Sequence, residues 1–165
     1  MKFTYFKASI NKYTFKVPKI KEWVEDHCRG KHILNLFAGP TRLHGCIEYS
    51  NDIDETIPSS SHMDALDYVN LMINNDVKFD IILLDPPYSY RKSMEFYNGH
   101  KNSRFKQILD LLPSILKEDG KIITFGYHAS QMGKSREFKL DELLIVDHSG
   151  AIHTTLSCVE SRINQ

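Results

Sequence analysis

Charge of one sign is what this chain lacks overall. Its 21 Lys and Arg offset 21 Asp and Glu, for a formal net charge of zero. That removes the global basic signal of nucleic-acid binders and leaves only local patches to steer phosphates. Cysteine is scarce: Cys28, Cys46 and Cys158 have no paired spacing. With no signal-peptide pattern either, the expectation is a reduced, cytoplasmic protein. No apolar run is long enough to cross a bilayer, so no membrane partner is expected. The eight histidines form no H-x-x-x-H group and the cysteines no C-x-x-C pair, so no metal is expected. Repeats, linkers and low-complexity stretches are also missing. The 165 residues read as one domain, 1–165, large enough for a sound core.

Charge is uneven along the chain. Met1 to Lys31 holds eight Lys/Arg against three Asp/Glu. Glu48 to Leu84 holds eight acids against Lys78 alone. Asp85 to Lys106 returns to five bases against two acids. The acidic stretch suits a ligand's hydroxyls and amine, and the two basic stretches, which flank the Asp85 loop, could steer phosphates.

The apolar run Phe79-Asp80-Ile81-Ile82-Leu83-Leu84 reads as a buried parallel strand. Asp85-Pro86-Pro87-Tyr88 follows at once. Two successive prolines continue neither a helix nor a central strand. A carboxylate and an aromatic ring are therefore held at a strand's carboxyl end, where open α/β sheets bind ligands. The four residues resemble the D-P-P-Y signature of methyltransferases that act on exocyclic amino groups of nucleic-acid bases. The chemistry suits them. The exocyclic nitrogen shares its lone pair with the ring and is a poor nucleophile. The Asp85 carboxylate and a backbone carbonyl at Pro86 would accept its two N–H groups and favour tetrahedral geometry. That support grows in the transition state, where the nitrogen gains positive charge. Tyr88 would stack on the base.

A second segment strengthens the resemblance. Ile33-Leu34-Asn35-Leu36-Phe37-Ala38-Gly39 reads as a strand entering a glycine turn. It resembles motif I of class I S-adenosylmethionine-dependent methyltransferases, where a small residue lets the backbone approach the cofactor. Asn35 stands where the family carries an acid, and Pro40-Thr41 where a second glycine is usual. The resemblance assigns Asn35, Phe37, Ala38 and Gly39 to the cofactor. It assigns Asp52, with Asp54 next, to the ribose hydroxyls after a short strand at Cys46 to Tyr49. It assigns Asp64, with Ala65, to the adenine amine at the end of a third strand. Tyr13 to Pro18, leading into an amphipathic helix, resembles motif X, with Val17 and Pro18 beside the methionine end. Residues 1–31 would then be an N-terminal strand and helix extension of the same domain.

The remaining pattern completes the expected fold. Arg104 to Lys117 has helical spacing, with Pro113 as a kink or a break into two helices. Glu118-Asp119-Gly120 reads as a turn, Lys121 to Phe125 as a strand. Leu143 to Val146 and Ile152 to Val159 read as an antiparallel pair. The expectation is a Rossmann-like α/β fold: a seven-stranded mixed sheet with helices on both faces.

Two loops suit substrate. The first follows Tyr88 and carries Tyr90, Arg91, Lys92 and Lys101, able to grip phosphates or stack on bases. The second, His128 to Arg136, carries Lys134 and Arg136. Tyr127 and His128 end the fifth strand and could line the target pocket. The resemblance implies S-adenosylmethionine as cofactor and a nucleic acid as partner. DNA adenine-N6 leads. RNA, ribosomal RNA included, is the alternative, at adenine-N6, cytosine-N4 or guanine-N2. The catalytic fold leaves no room for a separate target-recognition domain, so a partner subunit supplying recognition fits too. A non-catalytic nucleic-acid-binding subunit of the same fold is a further reading. A small-molecule methyltransferase ranks last.

Overall fold

The computed structural model describes residues 1–86, 104–150 and 153–163. Seven strands form one sheet: β1 (Lys2–Lys7), β2 (His32–Asn35), β3 (Ile47–Ser50), β4 (Phe79–Leu84), β5 (Leu116–Gly126), β6 (Phe138–Asp147) and β7 (Thr155–Arg162). Their order is β1-β6-β7-β5-β4-β2-β3. All neighbours are parallel except β7, which runs antiparallel to β5 and β6. From β2 the chain moves outward to β3, then returns to β4 on β2's other side. That reversal opens a crevice outside the carboxyl ends of β2 and β4.

β4 shows why helices cover both faces. Ile81 and Leu83 point into a core with Ile20, Trp23 and Val24 of helix α1 (Pro18–Cys28). Ile82 and Leu84 point into the opposite core. There they meet Val69 and Met72 of α2 (Ala65–Asn74) and Ile108 of α3 (Arg104–Leu111). A run with no polar alternation is what a strand buried on both sides requires. Pro18 occupies the first turn of α1, where its missing N–H costs nothing. α3 ends at Leu111, and Pro113 sits in the 3-10 turn Leu112–Ile115 that follows.

The strand count matches the expectation, but the membership differs. The third strand expected before Asp64 reduces to a single bridge, Asn51 to Ser61, and Asp64 instead caps α2. The seventh strand is β1 at the N-terminus, paired with β6 at the sheet's edge. β5 also starts earlier than expected. Leu116 pairs with Phe79 and Lys121 with Ile81, so residues 117–120 bulge out opposite Asp80 alone. The expected Glu118-Gly120 turn is this bulge. β6 starts at Phe138, ahead of the expected Leu143, and pairs along β7 as far as Arg162. Among the described residues no helix is long and apolar enough to cross a membrane.

Candidate active site

A cavity of about 510 Å³ opens at the carboxyl ends of the parallel strands. The segment after β2 supplies Phe37, Ala38 and Gly39, that after β3 Asn51 and Asp52, and that after β4 Asp85 and Pro86. Phe125 and Gly126 end β5, and Tyr127 follows. The stretch from Ile10 to Phe15, with Val17, closes one side. The cavity therefore gathers Val17, Phe37, Ala38, Gly39, Asp52, Asp54, Asp64 and Ala65 of the cofactor residues inferred from sequence. It brings Asp85 and Pro86 to the same space.

The glycine turn is held by hydrogen bonds from two directions. Gly39 adopts φ +59°, which a residue with a side chain rarely takes. Its N–H donates to Asp52 Oδ2 at 2.9 Å. The Ala38 N–H donates to the Asn51 carbonyl at 2.9 Å. On the other side, the Arg42 guanidinium donates to the Gly39 carbonyl and to Glu48. Glu48 also accepts from the Leu43 N–H at 3.1 Å. Asn51, fully buried, is the rivet of the region. Its amide nitrogen donates to the Leu36 and Met63 carbonyls, and its oxygen accepts the Met63 N–H at 3.0 Å.

The acids have definite tasks. Asp52 Oδ1 accepts the Asp54 N–H at 3.0 Å, so both its oxygens organise backbone. Asp54 is exposed and accepts from the Thr56 hydroxyl and N–H, bonds that hold its carboxyl below the usual range. Asp64 Oδ1 accepts the Leu66 N–H and an Arg104 N–H, both at 3.0 Å. It caps a helix and lines the cavity at once. Among the described residues, four carboxylates, Asp52, Asp54, Asp64 and Asp85, face this space against one lysine, Lys12. Such a lining favours ligands that bring positive charge or several hydrogen-bond donors.

Two inferred cofactor residues lie elsewhere. Asn35 is fully buried and donates to Glu48 at 2.8 Å, outside the cavity wall. Its neighbour explains the departure from the family's acid: a carboxylate here would lie buried against Glu48, and two like charges repel. The amide instead donates, leaving its Oδ1 with no partner among the described residues. Pro18 is exposed at the start of α1 and does not reach the cavity.

The second loop also departs from its expected role. Tyr127 lines the cavity, 46% exposed, with its ring 5.1 Å from that of His153. His128, Lys134 and Arg136 do not line it. Their loop is wound around the buried Glu160, whose carboxylate accepts from Ser130 Oγ and from the N–H groups of Gln131, Met132 and Gly133 at 2.7–3.1 Å. Arg136 Nε donates to Asp110 at 2.7 Å and Nη1 to the Met132 carbonyl at 3.2 Å, so it clasps structure. Pro87, Tyr88, Tyr90, Arg91, Lys92 and Lys101 lie outside the described residues.

Sequence reasoning missed Asn51, His148 and Thr155 in the cavity wall. His148 Nδ1 lies 2.9 Å from the Ala8 carbonyl, which can only accept, so Nδ1 carries a proton. Its Nε2 meets Thr155 Oγ1 at 2.8 Å. His148 follows β6 and Thr155 begins β7, and β1 pairs beside β6 so that Ala8 meets His148. Nothing local marks them. Asn51 carried a signal, since an Asn directly after a strand and beside Asp52 suits a backbone-bridging turn.

No protein-family model matches the sequence, and no curated protein matches it. Solved structures do match. One is a candidate SAM-dependent methyltransferase from Streptococcus mutans, at 18% identity and a TM-score of 0.62 over 86% of this chain and 48% of that one. Another is TrmN from Thermus thermophilus, at 15% and 0.58 over 89% and 49%. A third is the 1,6-didemethyltoxoflavin-N1-methyltransferase of Burkholderia thailandensis with bound S-adenosylhomocysteine, at 12% and 0.57 over 87% and 76%. The chain spans about half the length of the first two. At such identities the likeness is one of architecture, and it agrees with the sheet order and the carboxyl-end cavity. The chain has the Rossmann-like fold of S-adenosylmethionine-dependent methyltransferases.

Proposed function

We infer that the chain is an S-adenosylmethionine-dependent methyltransferase acting on an exocyclic amino group of a nucleic-acid base, with adenine-N6 in DNA as the leading target. The observation that carries this reading is the meeting of Asp85 and Pro86 with the Gly39 turn, Asp52 and Asp64 in one cavity.

The donor set fits the cofactor. Its adenine amine and ribose hydroxyls are donors, and its sulfonium and ammonium are cations. The lining offers acids for both, with aromatic and aliphatic walls from Tyr13, Phe15, Phe37 and Ile57. The volume suits a ligand of this size. Asp52 would accept from the ribose and Asp64 from the adenine amine, while the Gly39 turn admits close backbone approach. When bound, S-adenosylmethionine supplies an electrophilic methyl group and leaves as S-adenosylhomocysteine.

Asp85 would accept one N–H of the target amine and the Pro86 carbonyl the other. These bonds strengthen as the nitrogen forms its bond to carbon and becomes cationic, so they act on the transition state. The nitrogen then sheds one proton, for which the Asp85 carboxylate is the neighbouring acceptor. Tyr88 would stack on the base. A paired base must first leave its helix, at a cost of roughly a few kcal/mol.

The test is methyl transfer from tritiated S-adenosylmethionine to duplex DNA, total RNA and ribosomal subunits, with nucleoside mass spectrometry. Label in N6-methyldeoxyadenosine is the expected result. Label only in RNA nucleosides moves the target to RNA. Cofactor binding without label in any nucleic acid overturns the substrate class, and no cofactor binding favours a non-catalytic subunit.

A further inference from the structure

The acidic cavity has a basic lip. Residues 1–21 contain six lysines, at positions 2, 7, 12, 16, 19 and 21, and no acid before Glu22. Three of them are fixed against aromatic rings. Lys12 Nζ lies 5.1 Å from the centroid of Tyr13, and Lys16 Nζ lies 5.3 Å from the same centroid. Lys19 Nζ lies 5.9 Å from the centroid of Phe6. Lys12 and Tyr13 line the cavity, and Lys16 is exposed.

We propose that Lys12 and Lys16, held over Tyr13, grip the phosphodiester backbone of the nucleic acid whose base enters the cavity. This rests on the nucleic-acid reading above and gives it a contact surface.

Three facts carry it. First, among the described residues neither lysine has a carboxylate within ion-pair distance. The other lysines with an acid so placed are Lys2, Lys7, Lys21, Lys117 and Lys121. Two cations sharing one ring repel, and a bound anion relieves that repulsion. Second, a tyrosine face holds an ammonium without neutralising it, so both charges stay available. Third, the charges are arranged by sign. Carboxylates line the cavity, while lysines mark the 12–16 side. Behind the Thr56 bonds, the Lys12 charge adds to the lowering of the Asp54 carboxyl, which also lines the cavity. A nucleotide presents the matching sequence, a neutral base with donor groups followed by an anionic phosphate. Lysine suits this role because phosphate contacts position the strand without reading its sequence.

The test uses a labelled 12-nucleotide single-stranded DNA and its RNA counterpart, with binding followed by anisotropy between about 50 and 200 mM salt. Each phosphate contact adds roughly 0.7 to the slope of log affinity against log salt for single strands. The variant Lys12→Gln/Lys16→Gln is expected to flatten that slope by about 1.4 and to weaken binding roughly tenfold at the lower salt. Lys12→Arg/Lys16→Arg is expected to keep the wild-type slope. Calorimetric affinity for S-adenosylhomocysteine is expected to stay within about twofold in Lys16→Gln alone, whose side chain does not line the cavity, while the slope still flattens by about 0.7. An unchanged slope in the Gln pair overturns the proposal. So does loss of S-adenosylhomocysteine binding with an unchanged slope, which would assign the lysines to the cofactor's carboxylate. If wild-type protein methylates the oligonucleotide while the slope is unmoved, this inference falls and the enzyme reading stands. If it neither binds nor methylates either strand, this inference falls, and the enzyme reading is decided by the duplex, total-RNA and ribosomal substrates above.

Discussion

The Gly39 N–H donates to Asp52 Oδ2 at 2.9 Å, which ties the turn after β2 to the loop after β3. Asp52 is therefore a structural anchor as well as a candidate ribose ligand. Asp52→Ala should weaken S-adenosylhomocysteine binding by roughly 10- to 100-fold, since it removes both a charge-assisted bond and a ligand group, worth about 1.5–3 kcal/mol. Asp54→Ala should weaken it far less, because that carboxylate is exposed and engaged by Thr56. Calorimetry on the two variants checks the ranking; equal losses would contradict it.

Asn51 should matter to stability more than any other polar residue at the site. It satisfies groups on Leu36 and Met63 while fully buried. Asn51→Leu leaves those backbone groups unpaired and should cost about 2–4 kcal/mol. The midpoint of urea unfolding reads this directly, and a change under about 0.5 kcal/mol would contradict it.

Acid should destabilise the fold in two stages. Glu142 is buried beside α1, which pushes its carboxyl pKa up, but bonds from Thr4, Trp23 and Lys2 and the nearby His27 outweigh this and hold it below the usual range. Its stabilisation is present above the unfolded value, ~4.3, and is lost as pH falls through the lower folded value. His27 Nε2 lies 3.3 Å from Glu142, yet burial dominates and lowers its pKa. A lowered histidine binds its proton more weakly folded than unfolded. Stability should therefore start to fall as pH drops below ~6.5 and level off under the folded value. His27→Gln should remove the upper stage and keep the lower one. Thermal unfolding between pH 7 and 3 tests this; an upper stage intact in that variant would contradict it.

The loop after β5 should prove structural. Arg136→Ala breaks the clasp to Asp110 and the Met132 carbonyl and should cost about 1 kcal/mol. Affinity for S-adenosylhomocysteine should not change. A loss of cofactor affinity matching the loss of stability would contradict that assignment.

How much of this was legible in the sequence varies by element. The β4 strand and the Asp85-Pro86 stop were plain, because an uninterrupted apolar run and paired prolines leave few options. Asp52 and Asp54 reach the cavity because they follow β3, and parallel strands deliver their carboxyl ends to one place; Asp64 reaches it as the cap of α2, which the strand pattern does not show. Asn35 misled because its partner Glu48 is thirteen residues away and joins it only through β2–β3 pairing. Lys134 is exposed and Arg136 half-buried, but the buried Glu160 on β7 organises their loop and holds both away from the cavity wall. His148 and Thr155 were invisible for the same reason. An N-terminal strand was expected, but its place beside β6 was not legible, because its partner lies some 140 residues away and is reached only through the sheet pairing.

In the proposed reaction Asp85 would act on the amine and not on the cofactor. The most direct measurement pairs single-turnover methyl transfer with calorimetric cofactor binding in Asp85→Asn, using whichever nucleic acid the wild type labels. The expected result is a rate reduced by roughly 10²–10³-fold with cofactor affinity within about threefold of wild type. A rate near wild type would contradict it.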